Sequence, residues 1–384
     1  MNLRYFPTRI DEIKPAWLGA VLHVRGALPH GQILRCDASR LGQQGMTSDT
    51  YRLTLHYDGD APPSAPSTLI VRLASSNPTT RAVMHALGSY ERELRFYREL
   101  ARDSGLRVPR CFFAAGEPET GGFLLVLEEI HGDPGLPTIE SVENALHEIA
   151  RLHARHWRSV HMELDWLELR PSVVTMFEQQ LHSVEQRITA RTKARLPPAF
   201  AAALAFGRKH FRDLLDLDKA SPRTIVHGDL HPGQIITGAG GPVIFDWKTT
   251  LLASPGRDVA RLIAMTLAPI PRARHEHRLL GVYYDALCGG GVRDYSLASC
   301  LRDYKRGLVS SVLLNAVAVA DLDESRLREP AWNSESMFLD VLVYHLDSAV
   351  RANNVLESVG AELGVGRQEL QLDASRTRGH HSTD

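Results

Sequence analysis

The hydrophobic pattern of the first 130 residues has the period of two shown by half-buried strands. Residues 32–36 and 50–57 alternate in this way, and 68–73 is a short β-branched run. Residues 111–115 and 123–129 read as two more strands, joined by the turn-rich Gly116-Glu-Pro-Glu-Thr-Gly-Gly122. One helix interrupts them, over 81–104, with Leu87, Tyr90, Leu94, Tyr97 and Leu100 at helical spacing. After residue 131 the period lengthens. Helices are predicted over 141–160, 173–191, 197–217, 256–267, 274–287, 296–320 and 334–356. One strand–loop–strand island, residues 224–249, breaks that run. The pattern predicts an α+β protein: a small β-rich lobe at 1–130, a large, mostly helical lobe at 131–364, and a loose polar tail at 365–384. Gly132-Asp-Pro-Gly135 is the natural joint, and no internal repeat is present.

Composition narrows the classes. A chain of 384 residues with 43 % hydrophobic and 23 % charged side chains has room for a substantial core, which excludes a disordered or fibrous protein. The 44 basic residues are matched by 45 acidic ones. No global field favours nucleic acid or an anionic membrane, and neither is expected as a partner. The longest apolar stretch, 308–320, is interrupted by Ser310, Ser311 and Asn315, and its 13 residues cannot span a bilayer. The N-terminus carries charges where a secretory leader needs an apolar run. Cys36, Cys111, Cys288 and Cys300 lie far apart without a C-x-x-C, which suits a reducing cytoplasm. Only six of the basic residues are Lys and 38 are Arg, so a cation needed at a site is apt to be Arg.

The island carries the chemistry. It reads Ile225-Val-His227-Gly-Asp229-Leu-His231-Pro-Gly-Gln234-Ile-Ile, a Gly-rich turn, then Val243-Ile-Phe-Asp246-Trp247-Lys248. The two apolar pairs predict a hairpin that delivers Asp229 and Asp246, 17 residues apart, to one edge. Two carboxylates so held suit phosphoryl transfer: one orients an attacking hydroxyl and the other holds Mg²⁺ against nucleotide phosphates.

This stretch resembles the aminoglycoside phosphotransferase and choline kinase-like small-molecule kinases, whose motif is H-G-D-x-H-x-x-N followed by D-W or D-F. The resemblance spans about residues 15–350 and implies a protein kinase-like two-lobed fold. Tyr283-Tyr284 through Gly291-Val-Arg-Asp-Tyr295 resembles the ecdysteroid kinase-like branch. The likeness implies that Asp229 orients or deprotonates the acceptor hydroxyl and that Asp246 binds Mg²⁺. It implies that Arg72 contacts the phosphates of ATP or GTP and pairs with Glu93, and that backbone groups of Glu128 and Ile130 hold the purine. The loop 42–48, with Gly45 and Ser48, would cover the phosphates. The acceptor would be a small-molecule hydroxyl, on an antibiotic or another natural product. Two departures stand out. Arg72 replaces a more familiar Lys and keeps the charge. Gln234 replaces the Asn, which puts its place as a metal ligand in doubt.

Other readings remain open at this stage. His227, Asp229 and His231 have the composition of a zinc site, although further ligands at suitable spacing are lacking. His227 serves loop structure more readily than catalysis, while His231 suits loop or site equally. His153 and Trp157 read as core. Lys248 faces solvent or substrate. Asp321-Leu-Asp323-Glu324 is a solvated loop or a binder of a cationic antibiotic. A non-catalytic nucleotide-binding pseudokinase and a protein kinase are the alternative functions.

Overall fold

The strands predicted before residue 130 pair into one antiparallel sheet in the computed structural model, which describes residues 6–41, 47–117, 119–136, 138–158, 162–192, 196–238, 240–322, 324–331 and 337–366. The chain divides into two compact units, Met1–His131 with Val243–Thr249, and Gly132–Pro242 with Thr250–Asp384. In the first unit, helix α1 (Pro15–Val24) precedes strands β1 (Ile33–Leu41), β2 (Ser48–Tyr57) and β3 (Thr68–Ala74). Helices α2 (Pro78–Ala86) and α3 (Ser89–Arg95) then lead to β4 (Cys111–Glu117) and β5 (Gly122–Glu128). The sheet order is β1-β2-β3-β5-β4. Central β3 and β5 read as near-continuous apolar runs because both are covered, and Leu69, Val71, Leu124 and Val126 are fully buried. Trp17, Leu18 and Leu22 of α1 pack into the same core.

The single helix expected over 81–104 is broken. Gly88 adopts φ +70°, a left-handed turn that ends α2 and starts α3. Beyond Arg95 the chain passes through a wide turn at Phe96–Leu100 and a tight one at Ala101–Asp103.

The second unit begins with the two-residue strand β6 (Asp133–Pro134) and helix α4 (Ile139–Arg155), whose Thr138 caps it with a hydrogen bond from the Ser141 N–H at 3.0 Å. Helices α5 (Pro171–Thr192), α6 (Pro198–Lys209) and α7 (Phe211–Ala220) follow. The helix expected over 197–217 is split at His210, whose φ −106° and ψ 25° leave the helical region. The island supplies β7 (Thr224–Val226), β8 (Ile235–Gly238) and β9 (Gly241–Ile244), then β10 (Leu251–Ala253). Strand β7 pairs with β10 and β6 with β8, all antiparallel. The remaining helices are α8 (Gly256–Thr266), α9 (Pro269–Gly289), α10 (Leu297–Asp321), α11 (Glu324–Leu327), α12 (Leu346–Ala352) and α13 (Val355–Glu362). The helix expected over 334–356 is interrupted at Asn354, φ +47°; residues 332–336 fall outside the described set, as do 367–384 of the expected tail.

Helices α8 and α10 touch backbone to backbone. A Cβ on Gly256 would lie 2.2 Å from the Asp303 carbonyl, and one on Gly307 would lie 2.2 Å from the Gly256 oxygen. Only glycine permits that approach. All four cysteines are unpaired. Among the described residues no helix is long and apolar enough to cross a membrane.

Candidate functional site

Asp246 anchors the polar cluster of the first unit. Its φ is +66°, a conformation that residues with a Cβ adopt rarely and that tends to mark sites. The turn is held by the next residue. Trp247 is fully buried, and its ring stacks on Phe96 with centroids 3.9 Å apart and planes within 5°. Its Nε1 donates to the Ile244 carbonyl at 3.2 Å. Arg72, on central strand β3, donates to Asp246 Oδ1 at 3.0 Å, to Glu93 Oε1 on α3, and to the Ser48 hydroxyl at 3.1 Å. Lys248 donates to Asp246 Oδ2. Four predicted residues, Arg72, Glu93, Ser48 and Asp246, thus meet in one place. Lys248, which the sequence left unassigned, joins them.

Two cations face two carboxylates here. Burial works against the Arg72 charge, but Asp246 and Glu93 outweigh it and hold its pKa above the ordinary value. Burial also opposes ionisation of Asp246, and Arg72 and Lys248 outweigh it, taking the carboxyl well below its usual range. Glu93 goes the other way. Burial lifts its carboxyl to about 7 against the pull of Arg72. Asp246 is therefore the firmly anionic group, a hard oxygen ligand suited to a divalent cation. Among the described residues no three His, Cys, Asp or Glu side chains cluster to cage a metal. A cation at Asp246 would complete its shell with oxygens of a bound ligand, the usual habit of Mg²⁺. The zinc reading of His227, Asp229 and His231 finds no such cluster.

In the second unit the loop after β7 carries Asp229. Gly228 adopts φ +84°. The N–H groups of His227 and Gly228 donate to the buried Asp258 carboxylate at 2.7 and 2.9 Å. Asp258 stands in the first turn of α8 and also meets His153 Nε2 at 3.4 Å; His153 Nδ1 lies 2.8 Å from the Tyr283 hydroxyl. Burial pushes the Asp258 carboxyl up, but His153 and the loop N–H groups outweigh it and keep it below the ordinary value. One turn further along α8, Arg261 donates to Asp229 Oδ1 at 2.7 Å through Nε and to Asn315 Oδ1 at 2.7 Å. Asn315 donates in turn to the Leu342 carbonyl at 2.8 Å. Arg261 is 6 % exposed and the Asp229 side chain 26 %, so the carboxylate is held from behind and open in front.

His231 is tied into the loop. Its Nδ1 accepts the Gly233 N–H at 3.1 Å, capping the tight turn Pro232–Gln234. A neutral ring then carries its proton on Nε2, which lies 3.2 Å from the Gln234 amide nitrogen and 3.8 Å from Asp229 Oδ2. A half-rotation of the amide offers its oxygen to that proton. Elsewhere, Glu128 and Ile130 lie at and beyond the end of β5. The Glu128 N–H is already committed, donating to the Arg110 carbonyl at 2.8 Å. Gly45 falls outside the described residues, as does Asp323; Asp321 pairs with Arg187 at 3.2 Å.

Three residues escaped the sequence reading as site members. Asp258 lies in the first turn of the helix predicted over 256–267 and carries no local motif that marks it as a site residue. Arg261 follows it by three positions on one helix, and a buried Arg in an apolar run was the available signal. Asn315, 54 residues further on, gave the same kind of signal as a polar residue inside the apolar stretch 308–320.

A profile of the phosphotransferase enzyme family matches residues 41–289. No curated protein matches the chain. Among solved structures, a choline kinase from Cryptosporidium parvum superposes with a TM-score of 0.51 at 9 % identity, covering 86 % of this chain and 91 % of that one. An amicoumacin kinase, solved in complex with AMP-PNP, Ca²⁺ and Ami, gives 0.51 at 16 % identity, with 86 % and 93 % covered. The fold is kinase-like and α+β.

Proposed function

The chain belongs to the phosphotransferase enzyme family, and we propose that it transfers the terminal phosphoryl group of ATP or GTP to a hydroxyl of a small molecule. The observation that carries this is the Arg72 guanidinium bonded at once to Glu93, Ser48 and Asp246. A buried cation beside a permanently ionised carboxylate is what a phosphate–metal pair needs. In the reading, Arg72 contacts the phosphates and Glu93 holds Arg72 in place. Ser48 and Gly45 border them, and backbone groups at Glu128 and Ile130 take the base. Asp246 holds Mg²⁺, which neutralises phosphate charge when bound.

Asp229 orients the acceptor hydroxyl. Its hydrogen bond from Arg261 fixes one carboxylate oxygen and leaves the other for a hydroxyl. We assign Gln234 to His231 rather than to a second metal, because the ring proton faces its amide. The acceptor class we favour is an antibiotic or another natural product, with resistance or self-protection as the role. Within the family, the Tyr283–Tyr295 stretch supports a reading near the ecdysteroid kinase-like branch. The setting is the cytoplasm, as the unpaired cysteines suit.

The test is the shift in melting temperature with ATP and GTP, with and without Mg²⁺, followed by an acceptor screen for a mass gain of one phosphoryl group. A Mg²⁺-dependent rise is expected for at least one nucleotide. No rise with either, in folded protein, overturns the reading. The second reading is a non-catalytic nucleotide-binding module; Asp229→Asn would then leave biological activity unchanged.

A further inference from the structure

The first unit contains a concavity whose lining includes no residue of the Arg72–Asp246 cluster. It is a cavity of about 680 Å³ whose walls carry Arg25, Arg98, Arg102, Arg107 and Arg110. No Asp or Glu lines it. Three of the guanidinium groups are fixed by neutral main-chain oxygens. Arg25 donates to the Phe112 carbonyl at 2.9 Å, Arg98 to that of Ala114 at 2.7 Å, and Arg110 to that of Arg25 at 2.7 Å. Such bonds orient the groups without neutralising them; one carboxylate, that of Glu128, stands beside this wall and accepts the Arg110 main-chain N–H at 3.0 Å. The side chains of Arg102 and Arg107 have no hydrogen bond or ion pair among the described residues, although the Arg107 carbonyl accepts the Ile244 N–H at 3.2 Å. The nearby Glu99 is taken by Arg95 at 2.7 Å. In a chain of net charge −1, this is a local excess of positive charge.

The cavity floor is different. Leu106, Val108 and Pro109 are apolar, and Tyr97, which also lines it, is 8 % exposed with its hydroxyl buried and unpartnered. The volume falls in the range of small-molecule sites, roughly 300–1,000 Å³. Planar guanidinium forks match phosphate oxygens two at a time.

We propose that this cavity binds a small organic oligophosphate, its phosphates on the arginines and its ring or alkyl body on the Tyr97 floor. The proposal is independent of the reading of Asp246. The probe is metal-free inorganic tripolyphosphate, titrated calorimetrically into the full chain, with hydrogen exchange followed over residues 98–111. Wild type should bind, with affinity falling as salt rises and exchange slowing over that segment. Arg102→Glu/Arg107→Glu, both exposed positions, should weaken binding at least tenfold while the melting temperature is kept. Arg102→Gln/Arg107→Gln should fall between. Unchanged affinity in both variants, no binding to wild type, or no protection over 98–111 overturns the proposal.

Discussion

Replacing Lys248 by Met should tighten metal binding. Lys248 and Asp246 are each 14 % exposed, and the ammonium sits on Asp246 Oδ2, the oxygen that Arg72 leaves to others. A divalent cation must displace it. Two unit charges about 4 Å apart attract by ~4 kcal/mol at an effective dielectric of about 20. Most of that is returned when the flexible ammonium swings into water, so the net cost of displacement is about 1–2 kcal/mol, above the roughly 0.2–1 kcal/mol of exposed ion pairs because this pair is largely buried. At ~1.4 kcal/mol per decade, the Met variant should bind Mn²⁺ or Mg²⁺ about tenfold more tightly without nucleotide. Calorimetric titration of MnCl₂ into nucleotide-free protein reads this directly. An unchanged or weaker Mn²⁺ affinity would refute the argument. If Mn²⁺ affinity is unchanged but Mg·AMP-PNP binds more weakly, Lys248 is a phosphate contact instead.

Arg261→Gln should lower kcat about 10- to 100-fold with little change in nucleotide KM, on the scale of losing one positioned group, because Asp229 loses the side chain that fixes it; an unchanged kcat would mean that Arg261 serves packing only. His345 is buried and its pKa lies below the ordinary 6.5, chiefly through burial. The unfolded chain therefore binds this proton more readily, and stability should decline as pH falls below 6.5. His345→Gln should flatten that decline in denaturant titrations at a series of pH values; an equal slope in both proteins would count against the assignment.

Local pattern was enough for the sheet. Strands β2 to β5 have alternating or continuous apolar runs bounded by turn residues, and those signals do not depend on the rest of the chain. The motif around Asp229 and Asp246 was equally legible, because residue type and spacing carry it. Helix α1 was missed. Trp17, Leu18, Val21 and Leu22 are buried on a short segment that shows little polar face to betray its period. The break at Gly88 depends on a backbone angle, and one glycine in a helical pattern does not announce it. The supports of the Asp229 loop were hidden for another reason. His153, Asp258 and Tyr283 form one chain of contacts across 130 residues of sequence, and no window is wide enough to see it. The grouping of Val243–Thr249 with the first unit is likewise a matter of tertiary packing.

The glycine contact between α8 and α10 has a consequence for how this protein can change. Asp258 and Arg261 reach the Asp229 loop from α8, and α8 is registered on α10 by main chain against main chain at Gly256 and Gly307. A junction made of backbone atoms is indifferent to the side chains around it. The outward residues of α9 and α10 can therefore be exchanged, by drift or by design, without shifting the frame that holds Asp229. Diversification of what the helical unit accommodates is uncoupled from the upkeep of its central carboxylate, and two glycines are the condition for that freedom.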